Sequence, residues 1–347
     1  MKVLIVKTSS LGDVVHTFPV VAYLKQRHKD ITIDWVVESA CASLPEAHPD
    51  INQVHRVDIK RWRRDLLQRN TWREIAALKK KLSEGQYDVV FDLQGNTKSA
   101  MITALVPCPV KVGFDRHAVP EWPNLLATNR RFSLLAGQNI RFDYLHIVRS
   151  YFNDDTPFTD SGVILKVDEV NKNIVADILA TPMLQGRQKV LVCPGSIWRN
   201  KCLPTEPLLE LLRKAQNQHQ CGYLMAWGND SEKAEVERLA NALPNSIVIP
   251  RLPLPALQNL MCGVDLVVAM DSLPLHLAAT TSTPTYSFFG PSSAEKYKPE
   301  GSQHRSFQGV CPYGRSFDKR CPILRTCRTG ACLRGKGVQY PVFSIGE

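Results

Sequence analysis

The chain opens on Lys2-Val3-Leu4-Ile5-Val6, passes through Lys7-Thr8-Ser9-Ser10-Leu11-Gly12-Asp13, and enters a stretch with helical spacing over residues 14–26. The branched apolar run is the pattern of a strand buried on both faces, as in a parallel sheet. Strand, polar turn and helix form the ligand-binding corner of an open α/β sheet, because pockets form beyond the carboxyl ends of parallel strands. An acidic residue there sits badly beside a phosphate. It suits a neutral hydroxyl that must give up its proton, which makes Asp13 a candidate general base.

Further apolar runs recur at residues 32–37, 89–93, 163–167, 190–193, 223–227, 247–249, 266–270 and 285–289, with helical patterns at 71–84, 206–216, 231–241 and 274–279. Strands alternating with helices predict βαβ units and parallel sheets. A chain of 347 residues suits two domains, and the polar stretch 153–160 is the expected linker. The expectation is an α/β protein with a Rossmann-like half over 1–155, a second over 161–303, a cleft between them, and a basic, cysteine-rich segment over 304–347. GxGxxG is missing after the first strand, which argues against a nicotinamide dehydrogenase.

Hydrophobic residues make up 44% of the chain and charged residues 22%, the balance of a soluble globular protein. No apolar run nears the roughly 20 residues that span a bilayer. The first run is too short for a signal-peptide core, so the chain is expected in the cytoplasm. The net charge of +10 is uneven: residues 1–150 hold 22 Lys/Arg against 15 Asp/Glu, residues 151–303 hold 13 against 16, and residues 304–347 hold 8 against 2. Such a distribution predicts an anionic partner, whether nucleic acid, a phosphorylated sugar or an acidic membrane surface. Lys60-Arg61-Trp62-Arg63-Arg64, in an expected loop, packs four cations around one tryptophan. Arginine pairs bidentately with carboxylates and phosphates, and no nucleic-acid fold signature accompanies the cluster.

Three corners stand out in the second half. Pro194-Gly195-Ser196 ends one strand, where turn N–H groups and the Ser196 hydroxyl can hold phosphate oxygens. Lys201 follows, placed either to neutralise a departing diphosphate or simply as a surface lysine. Thr205 is expected to cap the next helix. Trp227-Gly228 ends another strand, and Glu232 either accepts hydrogen bonds from ribose hydroxyls or complements a helix dipole. Asp271 and Ser272 stand at a third corner, with Ser272 and the helix start after it suited to an anion. His276 either donates to that anion or is a satisfied core histidine.

Ten cysteines in a chain without an export signal are expected as thiols. Cys41, Cys108, Cys193, Cys202, Cys221 and Cys262 read as small buried apolar residues. Cys311, Cys321, Cys327 and Cys332 cluster in a polar tail, where four thiolates either bind zinc or iron tetrahedrally or remain free.

As an ordered set, Lys7-Thr8-Ser9-Ser10-Leu11-Gly12-Asp13, Asp34-Trp35-Val36-Val37-Glu38, Asp92-Leu93-Gln94-Gly95-Asn96-Thr97-Lys98, Pro194-Gly195-Ser196 with Lys201, Trp227-Gly228, Asp271-Ser272 with His276, and Phe289-Gly290-Pro291-Ser292 resemble the bacterial lipopolysaccharide heptosyltransferases of glycosyltransferase family 9. The resemblance runs from residue 1 to about residue 295. It implies the two-domain GT-B fold, an ADP-L-glycero-D-manno-heptose donor held mainly by the C-terminal domain, and no cofactor for catalysis. It implies Asp13 as general base of an inverting, metal-independent transfer, with Lys201 easing the departure of ADP. Ser9, Ser10, Gly12, Gly195, Ser196, Trp227, Gly228, Glu232, Asp271, Ser272 and His276 are implied around the donor. Lys7, Lys60, Arg61, Arg63, Arg64 and Lys98 are implied around an acceptor whose Kdo and lipid A carry carboxylates and phosphates. The N-terminal motif most resembles the branch that adds the first heptose to Kdo, at the cytoplasmic face of the inner membrane. Rival readings are a sister enzyme extending a later heptose, one that glycosylates a protein, and a non-catalytic nucleotide-sugar-binding protein. The related autotransporter heptosyltransferases carry a four-cysteine iron site, so the resemblance admits iron at the C-terminal cysteines. Two positions depart from the family pattern: Leu273 replaces a common glycine, and Pro120 replaces an arginine before the acidic residue matching Glu121.

Overall fold

Val3, Leu4, Ile5 and Val6 are fully buried in β1 (Lys2–Val6), in a computed structural model that describes residues 1–345. The chain forms two units that divide after Ser161. In the first, β1 joins β2 (Thr32–Glu38), β3 (Gln53–Val57), β4 (Val89–Asp92), β5 (Lys111–Phe114) and β6 (Arg130–Phe132) in the order β3-β2-β1-β4-β5-β6. In the second, β7 (Gln188–Cys193), β8 (Cys221–Met225), β9 (Ser246–Val248), β10 (Leu266–Met270), β11 (Thr285–Phe289) and β12 (His304–Gln308) follow the order β12-β11-β10-β7-β8-β9. Every strand pair is parallel, as in Val6 against Val36 and Asp92, or Ala269 against Cys193. The expected α/β architecture of two Rossmann-like sheets is the observed one.

Both orders reverse direction once, at β1/β4 in the first sheet and at β7/β10 in the second. Chain segments leave neighbouring strands on opposite sides at such a reversal, and this opens a crevice at the carboxyl ends. The turns carrying Asp13, Asp92–Gly95, Pro194–Ser196 and Asp271–Ser272 all sit at these two reversals.

Several expectations are corrected. Residues 163–167 form no strand: buried Gln258 binds this extended run instead, taking Leu165 N–H on Oε1 at 3.2 Å and donating to Val163 O, while Asn259 donates to Leu165 O at 2.9 Å. The helix expected over 14–26 is two helices, Leu11–Val15 and Phe18–Arg27, interrupted where the Thr17 hydroxyl turns back to Asp13 O at 2.9 Å. Lys60–Arg64 is not a loop but lies in the helix Ile59–Arg64, because Ile59 and Trp62 fall on one face and are buried in the core with Leu78 and Leu82. The polar stretch 153–160 packs on the first unit, where Asp154 accepts from Tyr23 OH at 2.8 Å and pairs with Arg27 at 3.2 Å. The chain from residue 304 starts with β12 of the second sheet, and Leu333, Phe343 and Ile345 enter that sheet's core cluster. No helix among the described residues is long and apolar enough to cross a membrane.

Candidate active-site corners

Asp13 lies in the first turn of the helix after β1, and its Oδ2 accepts from Ser10 N–H at 3.1 Å and Ser10 Oγ–H at 2.7 Å. The turn before it is held from β4: Gln94 Oε1 accepts from Thr8 N–H and Ser9 N–H, each at 3.0 Å, and from Thr8 Oγ at 3.3 Å. Gln94 is itself placed by Asp92, whose buried carboxylate takes the N–H groups of Gln94 and Gly95 on one oxygen and the Thr103 hydroxyl and Asn124 amide on the other. Burial raises the Asp92 pKa, and the hydrogen bonds from Gly95, Asn124 and Thr103 oppose the rise. The motif residues Gln94 and Asp92 were legible in sequence, but their service to the Asp13 turn was not.

Lys7 is corrected from the acceptor side to the interior. It is only 2% exposed, and its ammonium donates to Leu93 O and Tyr144 OH, each at 2.8 Å. Burial lowers its pKa to about 8, while the charges of Asp13 and Asp92 pull it upward. Lys98 is half-buried in the first turn of the helix Thr97–Leu105, and its charge reaches both Glu38 and Glu121. Glu121 pins that helix start by accepting from Thr97 N–H at 2.9 Å and from its hydroxyl.

The basic helix Ile59–Arg64 is attached to the same edge through Glu38 at the end of β2, which accepts the Ile59 N–H. Burial raises the Glu38 pKa, and Lys98 opposes it. Its second oxygen, Oε1, is buried. Lys60 and Arg63 are exposed. Arg61 is paired with Glu74, which also accepts Trp62 Nε1–H at 2.7 Å, and Arg64 pairs with Asp65 at 3.1 Å.

In the second sheet, Lys201 and Asp271 come together, which their separation in sequence did not announce. Lys201 is 8% exposed, so the surface-lysine alternative fails, and its Nζ lies 2.5 Å from Asp271 Oδ2. Ser292 Oγ donates to that same oxygen, and His276 Nε2 stands 3.5 Å from Oδ1. Ser272 precedes the helix Leu273–Ala278, but its hydroxyl turns to Met270 O at 3.4 Å and caps nothing. Thr205 likewise is the first residue of its helix rather than its cap, and its hydroxyl reaches Glu235 at 2.9 Å. Glu232 joins the ends of β7 and β8: Oε2 accepts Gly228 N–H at 2.7 Å, and a Cβ on Gly195 would meet the Glu232 carboxyl carbon at 2.3 Å. Ser196 borders this turn half-buried, and Trp227 donates Nε1–H to Ile249 O at 2.9 Å.

Zinc or iron at the last four cysteines finds no support, and the burial expected of the other six holds only in part. Among the described residues no group of three or more His, Cys, Asp or Glu is placed to hold a metal ion, and the cysteines are free thiols. Cys332 Sγ turns to Gly330 O at 3.8 Å and Cys327 Sγ to the Thr329 hydroxyl at 3.7 Å, while Cys321 is buried and Cys311 half-buried. Cys262, expected inside, is exposed, and Cys108 and Cys202 are half-buried.

Comparison with known proteins places this geometry. The model of glycosyltransferase family 9 (heptosyltransferase) matches residues 75–325. Lipopolysaccharide heptosyltransferase 1 of Pseudomonas aeruginosa is 34% identical over 300 residues, covering 84% of this chain and 79% of its own. The solved structure of Escherichia coli heptosyltransferase WaaC with ADP superposes with a TM-score of 0.75 at 27% identity, over 89% of this chain and 94% of that one. WaaC with ADP-2-deoxy-2-fluoro heptose gives 0.73 at the same identity and coverage. The reversal-point corners of two parallel six-stranded sheets, the family model and the relatives agree: this chain belongs to glycosyltransferase family 9, the heptosyltransferases, and is a glycosyltransferase of GT-B fold.

Proposed function

We propose that this chain transfers L-glycero-D-manno-heptose from ADP-heptose to the Kdo of the lipopolysaccharide inner core, with inversion at the anomeric carbon and without a catalytic metal. The observation that carries the reading is the Asp13 carboxylate at the β1/β4 reversal, oriented by two donors from Ser10 and underlain by the Lys7 ammonium. The acceptor oxygen bonds to the anomeric carbon while its proton passes to Asp13. The bond from that carbon to the diphosphate breaks on the opposite face, and ADP leaves with the electron pair.

The donor reading is supported by WaaC, whose solved structures carry ADP and a fluorinated ADP-heptose. Gly195, Ser196, Trp227, Gly228, Asp271, Ser272 and His276, at the corners of the second sheet, are proposed donor-binding residues, as are Ser9, Ser10 and Gly12 in the turn after β1. Glu232 accepts ribose hydroxyls, and Lys201 offsets charge on the leaving diphosphate. Exposed Lys60 and Arg63, with Arg61, Arg64 and Lys98, receive the carboxylates and phosphates of Kdo and lipid A. The enzyme then works in the cytoplasm, peripherally bound at the inner membrane, where its acceptor is displayed.

ADP release from ADP-heptose, with Kdo–lipid A, heptosylated core or protein supplied in turn, tests the reading. Release with Kdo–lipid A is the expected result. Release only with one of the others reassigns the acceptor, and binding without release makes the chain a nucleotide-sugar-binding protein.

A further inference from the structure

A pocket of about 420 Å³ opens in the second unit between the turn Arg199–Lys201 and the tail. Four arginines line it, Arg199, Arg325, Arg328 and Arg334, and no carboxylate does. None of the four makes an ion pair among the described residues. The tail from residue 304 holds eight basic residues and only Asp318 and Glu347 as acids, so sequence offers little compensation nearby. Guanidinium groups gathered in one concavity repel each other, and the arrangement gains from an anion that bridges them.

The walls are built rather than incidental. Buried Asn200 donates to Leu324 O at 2.7 Å and so fastens the turn to the tail. Gly330 packs so tightly on Asn200 that a Cβ would come within 2.9 Å. Arg334 is anchored at Cys202 O at 3.0 Å, and the Arg325 guanidinium lies 6.0 Å from the Trp198 ring centre. Arg199, Arg325 and Arg328 are exposed, so the mouth admits a group carried on a larger molecule.

We propose that this four-arginine pocket is a second anion site, taking a phosphomonoester or diphosphate group separately from the donor corner. Its lining excludes Ser196, Glu232 and Asp271, and the Lys201 ammonium points to Asp271 instead. Planar, five-donor guanidinium groups match phosphate oxygens bidentately, which selects phosphate-type anions over chloride. The group comes either from a lipid headgroup or from a soluble phosphate compound. This inference goes beyond the heptosyl-transfer reading and survives its failure.

Cys327 lines the pocket and serves as its reporter. Alkylation of Cys327 in the full chain, followed by peptide mass spectrometry, is measured with pyrophosphate against chloride at matched ionic strength, which removes general screening. Pyrophosphate should slow the reaction several-fold. In Arg325→Gln/Arg328→Gln the half-protecting concentration should rise about a hundredfold, at roughly tenfold per lost charged hydrogen bond. Arg325→Lys/Arg328→Lys, which keeps the charge but not the fork, should fall between them and guards against a folding artefact. Vesicles of phosphatidylcholine with phosphatidic acid, against phosphatidylcholine alone, identify the source: protection by the acidic vesicles assigns a lipid headgroup, and protection by pyrophosphate alone a soluble compound. Pyrophosphate no better than chloride, or equal protection in the glutamine variant, overturns the proposal. ADP affinity, titrated in parallel, should not change in the variant, and its absence in the unsubstituted chain would count against the donor reading only.

Discussion

Lys201 Nζ and Asp271 Oδ2 lie 2.5 Å apart, and both side chains are almost entirely buried. Burial alone would raise the Asp271 pKa, but the His276 hydrogen bond and the Lys201 charge hold it well below the usual carboxylate range. Removing one member leaves an uncompensated buried cation, so Asp271→Asn should destabilise the chain by about 3–5 kcal/mol in urea unfolding. A depressed folded-state pKa adds stability above the unfolded value of 3.8, lost as pH falls through the folded one. The gap between the two proteins should stay level at neutral pH and close below about pH 4. A gap already closing near neutrality would show that the Lys201 charge and the His276 hydrogen bond do not outweigh burial at Asp271.

Glu232 fills the space that any side chain at Gly195 would need. The obstructing atoms are the end of a flexible side chain, so Gly195→Ala should cost little stability. It should instead push the carboxylate off Gly228 N–H, where it now accepts at 2.7 Å. ADP affinity, measured by calorimetry, should fall about tenfold if Glu232 holds the ribose. Unchanged affinity would reduce Glu232 to a helix-start carboxylate.

Asp13→Ala should lower kcat by about 10²–10⁴ and leave ADP binding nearly intact, the signature of a lost general base rather than a lost ligand contact. Retained turnover removes Asp13 from the chemistry.

Much of this was legible from the chain. Strands buried on both faces announce themselves as apolar runs, and β1, β2, β4, β7, β8, β10 and β11 were all readable that way. The strands β3, β5, β6 and β12 escaped because they lie towards the sheet margins and are short or mixed in polarity, as Gln53-Val54-His55-Arg56-Val57 shows. The corners were readable because turn residues follow strand ends. Partners were not: Lys201 with Asp271 and Ser292, or Thr8 with Gln94, meet only because the parallel order brings distant strand ends side by side. Lys7 was assigned to the acceptor through the family resemblance, since nothing local reveals that Leu93 O and Tyr144 OH will receive it inside.

Gln94→Leu removes the acceptor shared by Thr8 N–H, Ser9 N–H and the Thr8 hydroxyl. Stranding partly buried donors costs about 1–3 kcal/mol apiece, so with three donors stability should fall by about 3 kcal/mol or more. Because the lost bonds hold the turn that aims Asp13, kcat should fall further than the stability loss accounts for. Equal kcat at temperatures where the variant stays folded would show that the turn keeps its shape without Gln94.

The Lys7 ammonium gives the last test, through pH. Its folded pKa of about 8 lies below the ordinary 10.5, because burial outweighs the attraction of Asp13 and Asp92. Between those values the unfolded chain holds a proton that the folded chain has released, so raising the pH favours folding. Lys7→Met has no such proton. The unfolding free energy of the unsubstituted chain should therefore gain on that of the variant from pH 8 upward, by at most about 3 kcal/mol, and level off above the ordinary lysine value. Denaturant unfolding of both proteins at neutral and alkaline pH measures the gain. A difference that stays constant across the range would mean that Lys7 keeps its proton, with Asp13 and Asp92 prevailing over burial.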